Sequence, residues 1–91
     1  MKKIITLQKL KYLNSLNKKI GLCHGVFDVI HYGHIQHLLF AKSKVDILIV
    51  SITSDKFVNK APHLPINTAK TRAQFLSHLS FIDFIIINNE A

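Results

Sequence analysis

Apolar residues follow two kinds of pattern along the chain, a helical period and short continuous runs, which together predict an alternation of helices and strands. Leucines stand at every third position from residue 7 to residue 16, which predicts a short amphipathic helix over residues 6–17. Residues 20–23 form an apolar run that gives way to His24 and Gly25, and this run predicts the first strand. Over residues 31–44 the apolar positions follow a helical period and basic residues collect at the end, so a second helix is expected there.

Two nearly continuous aliphatic runs follow, at residues 47–52 and 81–87. Such runs are typical of parallel strands that are covered on both faces, although Asp83 interrupts the second run. The segment between the runs carries signals for turns and caps. It predicts a helical turn capped by Ser54, a loop over residues 61–65 that contains both prolines, and a third helix that Asn67 caps and that runs to about Ser80.

The order of these elements predicts an α/β fold. Strands that alternate with helices are joined by right-handed crossovers, which place successive strands side by side in a parallel sheet. We therefore expect a Rossmann-like open parallel sheet with helices on both faces, of which this chain forms the N-terminal half with three strands.

Composition and charge narrow the class of partner. Apolar residues make up 48% of the chain, and 12 Lys and Arg against 5 Asp and Glu give a net charge of +7, so the field of the protein attracts anions such as phosphates. The basic residues are scattered in pairs rather than gathered in a tract, which argues against a nucleic-acid partner. Cys23 is the single cysteine, which excludes an internal disulfide, and no apolar stretch approaches the ~20 residues that span a bilayer. A cytoplasmic protein without a membrane contact is expected.

The segment HGVFDVIHYGH carries the candidate chemistry, because it lies where the first strand gives way to a helix. Ligands of open α/β sheets bind beyond the carboxyl ends of the strands, and a helix that begins there directs free backbone N–H groups at a phosphate. Gly25 is expected to let the backbone approach the ligand. His31 and His34 are three residues apart in the first helical turn, so their imidazoles should project from nearly the same face, with Gly33 leaving access open. We predict an electrostatic role for the two imidazoles, as hydrogen-bond donors to phosphoryl oxygens.

The run GVFDVIHYGH resembles the GxFDxxHxGH signature of the cytidylyltransferase-like nucleotidyltransferases. From Lys19 onward the order of motifs is similar to the sugar-phosphate branch of that family, which includes heptose-1-phosphate adenylyltransferases and glycerol-3-phosphate cytidylyltransferases. The resemblance implies a fold of the HUP type, with a truncated nucleotidyltransferase domain over residues 19–91 and an N-terminal amphipathic helix over residues 1–18. It also implies that a phosphate oxygen of a sugar or polyol phosphate attacks the α-phosphorus of ATP or CTP and releases pyrophosphate with the help of Mg²⁺.

The resemblance further implies roles for single residues. His31 and His34 would bind the triphosphate and stabilise the transition state. Lys60 matches a loop lysine that reaches phosphates, and Arg72 matches a helix arginine that helps to position the triphosphate, so all four are candidate catalytic residues. The candidate nucleotide-binding residues are Gly25, Val26, Phe27, Asp28 and Gly33, with Val26 and Phe27 acting through their backbone and Asp28 ordering the turn.

Two departures from the family pattern bear on function. His24 stands where the heptose branch has Asn, which leaves the choice of acceptor open, and the sequence stops at Ala91, before a second family signature resembling ISSTxxR. We therefore expect the 91 residues alone to be catalytically poor. ATP and CTP are not distinguished. The resembling enzymes are often dimers, which leaves a homodimer open, but the residues themselves do not indicate the oligomeric state.

Two other interpretations stay open at this point. The first is a noncatalytic nucleotide-binding or assembly module of a larger protein, for which the resembling family suggests a linked sugar-kinase domain. The second is a metal site, because His31, His34 and His37 stand at successive steps of three. Three-residue steps drift around a helix and no Asp, Glu or Cys completes the set, so we predict no resident metal ion.

Overall fold

Seven elements alternate along the chain in the order that the sequence predicts. The computed structural model describes residues 3–58 and 66–88, so the expected loop over residues 61–65 lies outside the described residues. The elements are α1 (Leu7–Asn14), β1 (Ile20–Gly25), α2 (Tyr32–Lys42), β2 (Ile47–Thr53), a 3₁₀ turn (Asp55–Phe57), α3 (Ala69–Ser77) and β3 (Phe84–Asn88).

The three strands form one parallel sheet in the order β1-β2-β3. The start of the chain extends this sheet, since Ile4 forms a parallel bridge with Ile85 of β3. The outer edge of β3 is thereby paired at Ile85, whereas the outer edge of β1 pairs with no other described segment. The predicted open parallel sheet is confirmed.

Alternate side chains of β2 point into two separate apolar layers, as expected for a strand that is covered on both faces. Ile49 faces α1 and packs with Leu13 and with Ile86 of β3. The opposite face of the sheet packs against α2 and α3. This larger cluster contains Leu38, Leu48, Val50, Ile52, Ala69, Ala73, Leu76, Ile82 and Ile85. Helices therefore lie on both faces, as predicted.

The amphipathic stripe of α1 is only partly buried. Leu13 is buried, whereas Leu7 remains 56% exposed and Leu16, which lies beyond the end of the helix, is 36% exposed. The helix ends at Asn14, three residues before its predicted end, and Ser15 is its C-terminal cap. Among the described residues, no helix combines the length and apolar character that a membrane span requires.

The predicted cap of α3 is wrong by one residue. Thr68 is the N-cap, because its hydroxyl accepts a hydrogen bond from the backbone N–H of Thr71 at 3.2 Å. The side chain of Asn67 donates instead to the backbone carbonyl of Asp28 at 3.0 Å. A contact with a distant segment therefore decides which of the two capping residues is used.

The third strand begins later than the apolar run suggests, at Phe84. Asp83 ends the preceding turn. Its carboxylate accepts a hydrogen bond from the backbone N–H of Leu48 at 2.7 Å and forms an ion pair with Lys42 at 2.8 Å. These bonds connect the start of β2, the end of α2 and the entrance to β3. The polar residue inside the apolar run thus marks the boundary of the strand.

Candidate active site

The segment between β1 and α2, residues 25–34, forms a turn at the carboxyl end of the sheet that we name the cradle. Phe27 has a φ of 55° and is the only described non-glycine residue with a positive φ. Its ring folds back over Gly25, where an added Cβ would stand 2.9 Å from Phe27 Cε2. A side chain at position 25 would therefore displace the Phe27 ring, which is a packing reason for glycine there.

His31 and His34 form a reciprocal cap at the start of α2. His31 is the N-cap residue, and its Nδ1 accepts a hydrogen bond from the backbone N–H of Gly33 at 3.0 Å. The Nδ1 of His34 accepts in turn from the backbone N–H of His31 at 3.2 Å. The arrangement reproduces a capping box, with imidazoles in the places of the usual hydroxyl and carboxylate.

These backbone contacts select one tautomer of each neutral ring. A backbone N–H can only donate, so each Nδ1 must carry a lone pair, and the proton of the neutral ring resides on Nε2. The ring centroids of His31 and His34 are 4.1 Å apart, so the two imidazoles are neighbours at the helix start. The first turn of α2 contains no acidic residue that would neutralise the positive end of the helix dipole.

Steric contact with the His31 ring explains why the residue between the two histidines is glycine. A Cβ at this position would stand 2.8 Å from His31 Cε1 and 3.1 Å from His31 Nδ1. Any side chain would therefore push the His31 ring away from the backbone N–H that holds it. The glycine of the HxGH element keeps the imidazole in its capping position.

Arg72 lies beneath the cradle and joins three segments of the chain. It is 2% exposed, and its guanidinium donates to the carbonyl of Val26 at 2.8 Å, to the carbonyl of Asn67 at 3.1 Å and to Asp55 Oδ1 at 2.8 Å. A buried charge is tolerated only when it is paired and hydrogen-bonded, and these contacts meet that condition. In this arrangement Arg72 holds the backbone of the turn in place.

Asp28 fastens the cradle to the segment before α3. Its two carboxylate oxygens accept from the backbone N–H groups of Ile66 at 2.6 Å and of Asn67 at 2.8 Å. Burial alone would raise the pKa of Asp28, but these hydrogen bonds, the charge of Arg72 and the Asn67 side chain outweigh it and lower the pKa below its ordinary value. Both carboxylate oxygens therefore serve to order the turn.

The structure brings most of the sequence-predicted site residues together. His31, His34 and Gly33 meet at the start of α2, and the carbonyl of Val26 is held by Arg72 from below. Lys60 lies outside the described residues. Within the part of the chain that the structure describes, no group of three or more His, Cys, Asp or Glu residues is placed to hold a metal ion.

Sequence reasoning singled out His24 but missed the two polar residues of β2 beside it, on the α1 side of the sheet. His24, at the end of β1, lies opposite Ser51 of β2, and its Nδ1 is 2.9 Å from Ser51 Oγ. Its Nε2 is 3.4 Å from the hydroxyl of Thr53. The sequence does contain a pattern that could have predicted this cluster. Ser51 and Thr53 stand two residues apart in an otherwise aliphatic run, which puts both side chains on one face of the strand.

Known proteins resemble this chain along most of its length. The Cytidylyltransferase-like family profile matches residues 22–90. The Bifunctional protein HldE of Campylobacter fetus subsp. fetus is 37% identical over 91 residues, which cover 98% of this chain and 20% of that protein. The Bifunctional protein HldE of Blochmanniella floridana is 41% identical over 87 residues, which cover 89% of this chain and 18% of that protein. The chain therefore spans about a fifth of the length of these curated relatives.

A solved structure gives the same result for the fold. The crystal structure of the lipopolysaccharide core biosynthesis protein from Thermoplasma volcanium matches with a TM-score of 0.76 at 29% identity, covering 82% of this chain and 62% of that one. The matched family profile spans more than half of the chain and includes the whole cradle. The chain accordingly belongs to the cytidylyltransferase-like family of nucleotidyltransferases, as the GVFDVIHYGH signature indicated.

Proposed function

We propose that the chain binds the triphosphate of ATP or CTP in a nucleotidyltransferase that transfers AMP or CMP to a sugar or polyol phosphate. The observation that carries this proposal is the pair of imidazoles at the start of α2, 4.1 Å apart, with both Nε2–H groups unused by the backbone contacts that fix Nδ1. Two neighbouring donors beside the positive end of a helix can form a site for phosphoryl oxygens.

The reaction requires no protein nucleophile. An oxygen of the acceptor phosphate attacks the α-phosphorus, the bond from that phosphorus to the bridging oxygen of the β-phosphate breaks, and pyrophosphate leaves with the electron pair. The acceptor phosphate is already ionised, so no general base is needed. His31 and His34 would donate hydrogen bonds to the oxygens on which negative charge grows, which is the main way proteins accelerate phosphoryl and nucleotidyl transfer.

Mg²⁺ is proposed to enter with the nucleotide. Each Asp of the described residues accepts a hydrogen bond from at least one backbone N–H, namely Asp28 from Asn67, Asp46 from Lys19, Asp55 from Ala69 and Asp83 from Leu48. Mg²⁺ is commonly held by substrate phosphates and water with few protein ligands. We propose that the ion binds the triphosphate and enters as part of the substrate.

The network beneath the cradle would hold the donors in register with the α-phosphorus. Arg72 is proposed to act through the Val26 carbonyl, which it fixes, and Lys60 to add a charge to the phosphates from its loop. The backbone of Val26 and Phe27 would contact the nucleotide. A displacement of reacting groups by about 1 Å can cost two orders of magnitude in rate, so a rigid turn is part of the chemistry.

A second candidate function is a noncatalytic nucleotide-binding module. It is compatible with the backbone contacts of His31 and His34, which cap α2 whether or not a reaction follows. A linked sugar-kinase domain or a second copy of the chain would then be the partner. Nucleotide binding without pyrophosphate release in the presence of sugar or polyol phosphates would favour this module over the transferase.

Calorimetric titration with MgATP and MgCTP tests the proposed triphosphate site. In the variant His31→Asn, the new side chain is a favoured N-cap that preserves the helix start but removes the Nε2–H donor. We expect this variant to bind nucleotide about tenfold or more weakly, the loss of one hydrogen bond to a charged group. His37→Gln, at an exposed position of the same helix, is the matched control and should bind as the wild type does. Equal affinity in wild type and His31→Asn would refute the site.

A further inference from the structure

A second pocket, which we name the back pocket, lies between the cradle and α3 and has no part in the proposed transfer. Neither His31 nor His34 lines it. It has a volume of about 260 Å³, and its walls include side chains from both elements, among them Phe27, Asp28 and Val29 of the cradle and Thr71, Arg72 and Phe75 of α3. The back pocket is therefore separate from the proposed triphosphate site, although both are built on the cradle.

The rim of the back pocket is apolar and open to solvent. Val29 is 62% exposed and Phe75 is 53% exposed, and Ile66, whose backbone N–H is bonded to Asp28, is 67% exposed. A free small molecule would fill the pocket but leave these side chains in water. An exposed apolar rim around a concavity is typical of a protein–protein contact, in which one anchor fills the pocket and the surrounding contacts exclude water. The rim therefore favours a segment of a partner protein.

The size and the walls of the back pocket suit an aromatic anchor. A cavity of about 150 Å³ accepts benzene, so the larger back pocket has room for an indole or phenol ring. The rings of Phe27 and Phe75 offer faces and edges against which another ring packs well. The guanidinium of Arg72 attracts the negative face of such a ring. An aliphatic anchor gains neither of these contacts.

Charge favours an acidic partner over a second copy of the chain. The net charge is +7, and neither α2 nor α3 contains an Asp or Glu residue. Among the described residues that line the back pocket, Asp28 is the only acid, and its carboxylate already accepts two backbone N–H groups. Two copies of so basic a chain repel each other, whereas acidic residues beside the anchor are attracted to this surface.

A ring in the back pocket would act on the histidine pair through Phe27. This residue has a φ of 55°, and its ring meets the His34 ring edge-to-face with the centroids 5.9 Å apart. A non-glycine residue with such a φ is strained, and the strain persists only where surrounding contacts hold it. A ring that packs on Phe27 from the pocket side adds such a contact, and it thereby stabilises the form of the cradle that presents His34.

We propose that the back pocket receives an aromatic side chain from an acidic segment of a partner protein, and that this contact strengthens triphosphate binding in the cradle. The first half of the inference stands on the pocket itself. The second half rests on the proposed function, because it requires the histidine pair to be the triphosphate site. Coupling between two sites is reciprocal, so a bound nucleotide must strengthen the binding of the partner segment by the same factor.

Capped peptides of stated chemistry serve as probes. The test peptide is Glu-Glu-Trp-Glu-Glu; one ligand control has Ala in place of Trp, and the other has Lys in place of every Glu. Binding is followed by nuclear magnetic resonance of the backbone amides of Thr71 and Leu76, with and without saturating MgATP and with no acceptor present. Phe75→Gln is the test variant, because Gln favours a helix and removes the ring. Gln74→Ala, at the preceding exposed position of α3, is the matched control.

We expect the Trp peptide to shift both signals in the wild type and in Gln74→Ala. Its affinity should fall about tenfold or more in Phe75→Gln, and the Ala peptide should bind about thirtyfold more weakly, as is typical for the loss of a buried aromatic anchor. The Lys peptide should bind more weakly than the Glu peptide, with a difference that shrinks as salt is added. MgATP should strengthen binding of the Trp peptide about fivefold or more. The affinity of Phe75→Gln for MgATP alone should stay within about twofold of the wild-type value, which also shows that the variant is folded.

Other results would overturn the inference. Equal binding of the Trp and Ala peptides, or equal binding by the wild type and Phe75→Gln, removes the docking site and leaves the triphosphate site standing. Binding to phosphatidylglycerol vesicles that depends on Phe75, without peptide binding, replaces the partner protein by a membrane surface. Self-association that depends on Phe75 replaces it by a second copy.

Two further results separate the halves of the inference from the proposed function. A peptide affinity that MgATP leaves unchanged, in a protein that binds MgATP, overturns the link between the back pocket and the cradle. Peptide binding that depends on Phe75, in a protein that does not bind MgATP, supports the docking site and overturns the proposed function.

Discussion

Substitution of Gly33 by Ala should separate the stability of the cradle from its capacity to bind a triphosphate. The new Cβ would stand 2.8 Å from His31 Cε1, a distance that forces the ring to move, and it would break the 3.0 Å hydrogen bond from the Gly33 N–H to His31 Nδ1. Loss of a helix N-cap costs about 1 kcal/mol of stability. Replacing Gly by Ala inside a helix returns about 0.5–1 kcal/mol.

The two stability terms nearly cancel, so the free energy of unfolding of Gly33→Ala should lie within about 1 kcal/mol of the wild-type value. Binding has no such compensation, because a displaced His31 no longer aims its Nε2–H beside that of His34. We expect the affinity for MgATP or MgCTP to fall at least about tenfold, the loss of one charge-assisted hydrogen bond.

Urea unfolding and calorimetric titration measure the two quantities on the same preparation. Gln36→Ala, at an exposed position of α2, is the control and should change neither quantity by much. If Gly33→Ala bound nucleotide with wild-type affinity, the capped His31 ring would not be part of the site. If instead stability fell by several kcal/mol, the steric reasoning about the glycine would be incomplete.

Three further substitutions test the network around the cradle. Arg72→Met should lower the free energy of unfolding by about 1–3 kcal/mol, measured in urea, because it leaves the Val26 and Asn67 carbonyls without their donor, whereas the half-exposed Asp55 can turn to water; an unchanged midpoint would contradict this role. The pKa of Asp28 is lower in the folded than in the unfolded protein, so its carboxylate stabilises the fold at pH values above the unfolded-state pKa near 3.8. This contribution is lost as the pH falls through the folded-state pKa. Asp28→Asn should therefore flatten the acid limb of the stability profile, and an identical limb in both proteins would count against it. Asp83→Ala removes the acceptor of the Leu48 N–H and should cost about 1–3 kcal/mol without changing nucleotide affinity, since Asp83 lies at the opposite end of the sheet; a parallel loss of binding would show that the two ends are coupled.

The secondary structure could be predicted from the sequence where local pattern and packing agree. The aliphatic run over residues 47–52 became a strand that is buried on both faces, and the period of three to four around Leu38 became α2. The start of α3 could not be predicted, because Asn67 and Thr68 are both good caps. The contact of Asn67 with Asp28, 39 residues away, decides between them.

In the candidate site, too, local features could be predicted and those that depend on distant segments could not. The histidine pair could be anticipated because its spacing within one helical turn fixes which face the rings share. The inward role of Arg72 could not, since burial of a charged residue depends on carbonyl groups from Val26 and Asn67 that the fold brings together. The pairing of His24 with Ser51 also needed the strand register, which no local pattern specifies.

The ring nitrogens of His31 and His34 offer the most direct measurement of the central claim. In ¹⁵N-labelled protein, correlation of ring nitrogens with ring protons distinguishes the two neutral tautomers and follows each Nε2–H during titration with MgATP or MgCTP. The account predicts the Nε2–H tautomer for both rings in the free protein, and shifts of both Nε2 signals on nucleotide addition, while the signals of His37 and His78 stay in place. A proton on Nδ1 of either ring, or nucleotide binding that leaves both Nε2 signals unchanged, would contradict it.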